Sequence, residues 1–267
     1  YGNANWPAFV GSSMVTLFVG SILFLTNKGS ATEHLELRQA FLLTNSAWIS
    51  IALFGSLPFI LSDIEMSIID AFFESTSGIT TTGATVLENL EAKSHGILIW
   101  RALLQWLGGV GIIVMALAVL PMLSIGGMQL FKTESYETPD KVVPKAASFA
   151  AGISIVYITL TVIWAFMLWG AGMPIFDSIA HAMTTLATGG YSTKSESLAA
   201  FNSSTIEIII IFGMLVGSLP FVHYLALTKN GIRNLIKDDQ VKLFLTLVLF
   251  VVLIMSLYLS FNNLPFI

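Results

Sequence analysis

Six apolar stretches, at residues 6–26, 40–61, 96–123, 146–170, 205–227 and 243–260, make up most of the chain, each bounded by polar or charged residues. A hydrocarbon core about 30 Å thick is crossed by about 20 apolar residues in a helix. Inside that core the backbone must satisfy its own polar groups, which a helix does within a single segment. Runs of this length therefore specify an all-α membrane protein with six crossings. The composition leaves little room for a soluble fold, since 55% of the 267 residues are hydrophobic and 10% charged, against roughly 25% charged in soluble domains.

Charge orients the crossings. With residues 1–5 outside and the crossings alternating, Lys28, Arg38, Lys132, Lys141, Lys145, Lys229, Arg233, Lys237 and Lys242 fall on the cytoplasmic side. Only Lys93, Arg101 and Lys194 fall on the outer side. An excess of basic residues inside is the pattern that sets topology, and the opposite orientation would invert it. The outer side carries Asp63, Glu65, Asp70, Glu74, Glu88, Glu91, Asp177, Glu196 and Glu207, so nine acids against three bases leave it at −6. Such a surface concentrates cations over a Debye length of about 8 Å at physiological ionic strength.

Two outer segments, one between the second and third crossings and one between the fourth and fifth, are copies of each other. "MSIIDAFFESTSGITTTGATV" (66–86) aligns without gaps on "MPIFDSIAHAMTTLATGGYST" (173–193) at a constant offset of 107. Met66/Met173, Ile68/Ile175, Asp70/Asp177, Thr81/Thr188 and Gly83/Gly190 are identical. Each copy follows an inward-to-outward crossing and precedes an outward-to-inward one, so the repeats run parallel, unlike the inverted repeats of many secondary carriers.

Each copy begins with a helix-compatible part, at residues 66–79 and 174–187. Pro174 suits a first helical position, and Ser62 and Glu65 have the spacing of a capping box. About 13 residues at 1.5 Å each span roughly 20 Å, too short to cross. The return falls to residues 80–86 and 187–193 in extended backbone, which at membrane depth must be buried in protein or line a water-filled cavity. A row of carbonyls in such a cavity suits a dehydrated cation, as in potassium-channel filters built from TVGYG strands. Carbonyls of successive residues share one axis only where some residues take positive φ, which glycine does without steric cost. Gly83 and Gly190 are the residues placed to do so. The negative C-terminal end of each short helix points toward the same cavity. The expected fold is thus a set of helix, re-entrant pore loop and helix repeats of the potassium-channel type, with two complete repeats present.

"STSGITTTGATV", "WRALLQWLGGVGIIVMALAVLPMLSIGGMQLF" and "AMTTLATGGYSTKSES" resemble the TrkH-type membrane subunits of the Trk potassium-uptake family, within the Trk/Ktr/HKT superfamily of cation transporters. The resemblance covers nearly the whole chain. It implies four helix–loop–helix repeats around one pore, preceded by an extra helical pair. On that pattern residues 1–37 end the extra pair and its connector, 38–131 form the first repeat and 132–228 the second, and 229–267 hold a connector and the first helix of a third. The chain starts at Tyr1 without a methionine and ends just after the sixth stretch, which fits a partial chain lacking the rest of the third repeat and the fourth.

Carried over by resemblance, the first filter strand is Thr81, Thr82, Gly83, Ala84 and Thr85, and the second is Thr188, Gly189, Gly190, Tyr191 and Ser192. Potassium would be held at Thr81, Thr82, Gly83, Thr188, Gly189 and Gly190. The implied function is potassium uptake across the plasma membrane, the bacterial inner membrane, with no covalent cofactor and no enzymatic activity. The implied partners are membrane lipid, the missing repeats, a cytoplasmic nucleotide-binding regulatory subunit of the TrkA type and a second copy in a homodimer. No nucleic-acid partner is expected.

The alternative is an ion-coupled secondary carrier for sodium or linked to protons. It would want a carboxylate near the middle of a crossing, and the six stretches have none there. An intramembrane protease using Asp70 and Asp177 is explained more simply by their equivalent places in the two copies. "GGVG" at 108–111 has no preceding strand and reads as a site of close helix packing. Pro121 and Pro220 mark kinks or breaks near the cytoplasmic ends of the two helices that follow the filters. His34, His95, His181 and His223 have no metal-ligand spacing, and His181 aligns with Glu74 as a support beside the filter. Arg101 and Gln105 share a face of the third crossing and are candidates by their location. For Arg101, snorkelling to the interface or pairing with Glu88 or Glu91 are the partners expected. Residues 229–242, with Asp238 and Asp239, read as a solvated connector. There is no cysteine, so disulfides and thiolate metal sites are excluded.

Overall fold

A computed structural model describes residues 5–29, 37–123, 142–221, 223–225 and 238–262. Lys132, Lys141, Lys229, Arg233, Lys237 and His34 lie outside the described residues. All regular structure among those described is helical.

The first crossing is α1, Trp6–Thr26, with a proline in its first turn and Ala8 and Ser12 as its buried residues. Leu17, Phe18 and Phe24 of α1 are exposed apolar surface, as a lipid-facing helix requires, while Phe9 packs against the core. The second stretch departs from the single helix expected at 40–61. It forms α2, Leu37–Gly55, and the short α3, Leu57–Leu61, which are separated at Ser56. The cause is Pro58, which has no N–H to continue the ladder. Phe59 N–H donates to Ser56 O at 3.0 Å, and Gly55 O accepts instead from Trp100 Nε1 at 2.9 Å.

The third crossing is α5, His95–Leu123, whose backbone stays helical through Pro121. The fourth is α6, Val142–Gly170. The fifth is shorter than the apolar run 205–227, because α8, Ser204–Ser218, ends two residues before Pro220. Among the described residues, four helical segments are long and apolar enough to cross a membrane: Trp6–Thr26, Phe41–Leu61, Ala150–Gly170 and Asp239–Phe261.

Between these lie two half-length helices of 12 residues, α4 at Ile68–Ile79 and α7 at Ile175–Leu186. Each is about 18 Å long at 1.5 Å per residue. The cap of α4 is not the expected Ser62 and Glu65. Ser67 caps it, with its Oγ accepting from Asp70 N–H at 3.1 Å, while Ser62 ends α3 and donates to Phe59 O at 3.0 Å. Pro174 stands at the cap position, one residue before its expected place inside α7. α4 packs between α2 and α5, and α7 against α6, α8 and α5, so α5 touches both half-helices.

The chain divides into two compact units, Tyr1–Ser218 and Leu219–Ile267. In the second, α9 spans Asp239–Phe261 and is capped by Asp238, whose carboxylate accepts from Gln240 N–H and Val241 N–H. His223 Nε2 lies 3.5 Å from Asp238. Asp239 pairs with Lys242 one turn on.

Candidate functional site

The two half-helices end in the same way, bond for bond. Thr82 N–H donates to Ser77 O, and Gly189 N–H to Thr184 O, both at 2.9 Å. Thr81 N–H donates to Gly78 O, and Thr188 N–H to Thr185 O, both at 3.0 Å. Each pair is related by the offset of 107. The longer bond closes around a left-handed residue, a terminator that usually uses glycine. Here it uses Thr81 at φ 54° and Thr188 at φ 53°. Left-handed backbone is costly for a β-branched residue, and the sequence carried no sign of it.

Two residues further on, Gly83 at φ 80° and Gly190 at φ 82° are left-handed again, as expected. Thr82 and Gly189 intervene without positive φ. The strands therefore alternate in hand. They also abut each other: a Cβ on Gly83 would collide with the Gly189 carbonyl oxygen, whereas one on Gly190 would meet nothing within 4 Å. Ala84 O accepts from Ser77 Oγ at 2.6 Å and from Tyr191 Oη at 3.2 Å. Thr82 Oγ1 shares a 2.8 Å hydrogen bond with Thr80 Oγ1.

Beneath the first strand lies a buried ion pair. Arg101 does not reach Glu88 or Glu91 and does not snorkel. It is 1% exposed, and its Nε donates to Glu74 Oε1 at 2.7 Å, with Glu74 fully buried. Arg101 Nη1 donates to Ser192 O in the second strand at 3.0 Å, and Nη2 to Thr85 Oγ1 in the first at 3.0 Å. The Glu74 carboxylate accepts in addition from Thr85 Oγ1 and from Val86 N–H at 3.1 Å. Burying two charges is tolerable only with hydrogen bonds on the remaining donors and acceptors, which this network supplies.

The second copy uses His181, at the position equivalent to Glu74. Its Nδ1 lies 2.8 Å from Asp177 O and its Nε2 3.0 Å from Ser192 Oγ. A carbonyl cannot donate, so Nδ1 carries a proton; His181 is buried, which disfavours a charged ring, and in the neutral ring Nε2 accepts from Ser192. Thr85 and Ser192 are themselves equivalent, and their hydroxyls accept from Leu87 N–H and Lys194 N–H respectively. His181 and Glu74 thus support the strands from matching places.

Two further links cross between the copies. Tyr191 Oη donates to Glu74 O at 3.0 Å, and its ring lies 4.1 Å from the Arg101 guanidinium. Gln105 Nε2 donates to Gly189 O at 2.9 Å while its Oε1 accepts from Tyr191 N–H at 3.1 Å. Arg101 and Gln105 were legible as candidates, but their partners were not. Glycines allow the close packing beneath: a Cβ on Gly108 would strike Ile79 O, and one on Gly217 would lie 2.7 Å from Leu186 O, the equivalent carbonyl.

On the outer face, Glu91 accepts from Ser195 N–H at 2.8 Å and Ser195 Oγ at 2.7 Å, joining the two outer loops. These bonds hold the Glu91 carboxyl below its ordinary value. Asp63, Glu65, Asp70 and Glu88, with Lys93, line an open cavity of about 800 Å³. Glu74 and Asp177, counted with the outer acids, are instead buried. Among the described residues no three His, Asp or Glu side chains converge as a metal-binding group.

Residues 6–267 match a family of cation transport proteins, TrkH. The Trk system potassium uptake protein TrkH of Salmonella typhimurium is 41% identical over 267 residues, covering 98% of this chain and 55% of that protein. Its counterpart in Escherichia coli K12 is 40% identical with the same coverage. The crystal structure of the potassium transporter TrkH from Vibrio parahaemolyticus superposes with a TM-score of 0.84 at 36% identity, covering 95% of this chain and 52% of that one. The chain spans about half the length of the relatives it matches. With a family match across almost its whole length and a shared helical fold, this multi-pass membrane chain belongs to the TrkH family of cation transport proteins.

Proposed function

We propose that this chain contributes two strands of a potassium-selective filter to an uptake protein of the bacterial inner membrane. The observation that carries the reading is the alternation of left-handed residues, Thr81 and Gly83 in one strand, Thr188 and Gly190 in the other, at equivalent places after two half-length helices. Rings of carbonyls replace the hydration shell of potassium, and this backbone is one that supplies them. In this reading Thr81, Thr82, Gly83 and Ala84, with Thr188, Gly189, Gly190 and Tyr191, line the path. Residues 38–131 and 132–228 are two helix–pore loop–helix repeats, 1–37 lead into them and 229–267 open a third. Two strands enclose half of an ion, so the other half comes from two further repeats of the complete protein. The names of the relatives support potassium as the ion. A TrkA-like nucleotide-binding subunit at the cytoplasmic face and a homodimer complete the proposed assembly, which is a transporter and not an enzyme.

The test is the uptake of potassium and sodium by the full-length protein carrying Gly83→Ser or Gly190→Ser. At position 83 a side chain meets the Gly189 carbonyl, and at 190 it imposes strain on a φ of 82°. Both variants are expected to lose preference for potassium over sodium. Unchanged preference in both would remove these strands from the path.

A further inference from the structure

We infer that Gln105 determines selectivity by fixing the orientation of the Gly189–Gly190 peptide in the second strand. The inference rests on the filter reading above. A peptide plane turns by changing ψ of the residue before it and φ of the residue after it. Where both are glycine, no Cβ opposes the turn. The equivalent peptide of the first strand follows Thr82, whose side chain restricts it. Gly189–Gly190 is therefore the more easily rotated of the two, and its carbonyl is one that the filter reading offers to the ion.

Gln105 acts on both sides of this peptide. Its amide N–H holds Gly189 O, and its amide oxygen holds Tyr191 N–H, so the backbone on either side of Gly190 is tied to one planar side-chain group. Gln105 is fully buried, so water does not compete for these bonds. A buried amide with both ends engaged also has one low-energy orientation, because reversing it would set two donors and two acceptors against each other. α5 places it there through contact with α7. The helix in the corresponding place of the second copy, α8, has neither glutamine nor arginine. Gln105 is thus a positioning residue supplied by the first copy to the second.

Steric detail offers a way to test rotation apart from general loss of packing. A Cβ on Gly189 would find its three nearest neighbours in the Gln105 amide group, and Gly189 is not in the left-handed region. Shortening Gln105 removes the three nearest obstacles to an alanine at 189, whose Cβ restricts the same rotation that Gln105 opposes.

The experiment measures potassium and sodium fluxes in vesicles reconstituted with the full-length protein, its Gln105→Ala variant and the Gln105→Ala/Gly189→Ala double variant. The flux ratio does not depend on how much protein folds. Gln105→Ala is expected to lower the potassium-to-sodium ratio about tenfold, equivalent to about 1.4 kcal/mol between the competing ions. The double variant is expected to regain most of that loss. A native ratio in Gln105→Ala, or a double variant no better than the single, would overturn the inference. Gly83→Ser in the same vesicles separates two failures: if its ratio falls while that of Gln105→Ala does not, only the role of Gln105 is lost. If none of Gln105→Ala, Gly83→Ser and Gly190→Ser lowers the ratio, the filter reading is lost as well.

Discussion

The two half-helix and strand units share a backbone and differ beneath it. Their helix ends match hydrogen bond for hydrogen bond, with left-handed residues at 81 and 83 and again at 188 and 190. Under the first strand is a carboxylate–guanidinium pair, Glu74 and Arg101, and under the second a neutral histidine, His181. The backbone path is set by the end of the helix, which needs only main-chain donors and acceptors. The task the two supporting side chains share is to engage the hydroxyl of Thr85 or Ser192, and a carboxylate or an imidazole can do it. The units also differ in independence, since Arg101 and Gln105 both come from α5 and both reach the second strand.

The sharpest way to separate the two supports is to remove one group from each. Arg101→Met leaves Glu74 buried without its cation, a loss of about 3–5 kcal/mol where a buried pair is broken from one side. His181→Ala removes hydrogen bonds at a neutral site and is expected to cost about 1–3 kcal/mol. Glu74→Met together with Arg101→Met removes both charges and is expected to cost less than Arg101→Met alone. Thermal unfolding in detergent measures all three. Equal losses in Arg101→Met and His181→Ala would break the contrast between a charged and a neutral support.

A smaller effect tests the likeness. Thr81→Gly and Thr188→Gly each relieve a left-handed β-branched residue, and each is expected to stabilise by about 1 kcal/mol. Because the terminators match, the two gains should match in the same unfolding measurement. A gain at only one site would show that the backbones are alike in form but not in strain.

The smallest effect concerns the outer clasp between the copies. The Glu91 carboxyl is held below its ordinary 4.5 by bonds from the Ser195 side chain and backbone. A group whose folded value is depressed contributes above its unfolded value and loses that contribution as pH falls through the folded one. The clasp is thus intact at neutral pH and opens in acid below 4.5. Hydrogen exchange at Leu90 and Ser195, whose amides are tied to the clasp, should quicken relative to the helices as pH drops through that window, after correction for intrinsic rates. Glu91→Gln should flatten the change.

How much was legible follows from the range of each interaction. The bilayer imposes its thickness on every crossing, so hydrophobic length alone located α1, and predicted 6–26 is the observed Trp6–Thr26. Prolines account for the largest departures: Pro58 divided the second stretch, and α8 stopped short of Pro220. The offset of 107 located the half-helices and their glycines, because a duplicated segment with the same flanking crossings meets the same demands on its backbone. His181 was legible as a support only through its alignment with Glu74.

Other features arose where distant segments meet. Composition and spacing make Arg101 a cation near an interface, with Glu88 and Glu91 at hand in the sequence. Glu74, 27 residues away, becomes its partner only when α4 packs on α5 and excludes water from both. Thr81 and Thr188 are poor left-handed residues by local preference, so they are held by the helix-end bonds and strands around them, which no window of sequence contains. Helix length, orientation and duplication depend on the solvent and on the chain itself, and they can be read along one dimension. Which buried donor meets which acceptor depends on desolvation by the neighbouring copy, and that is decided by packing in three dimensions.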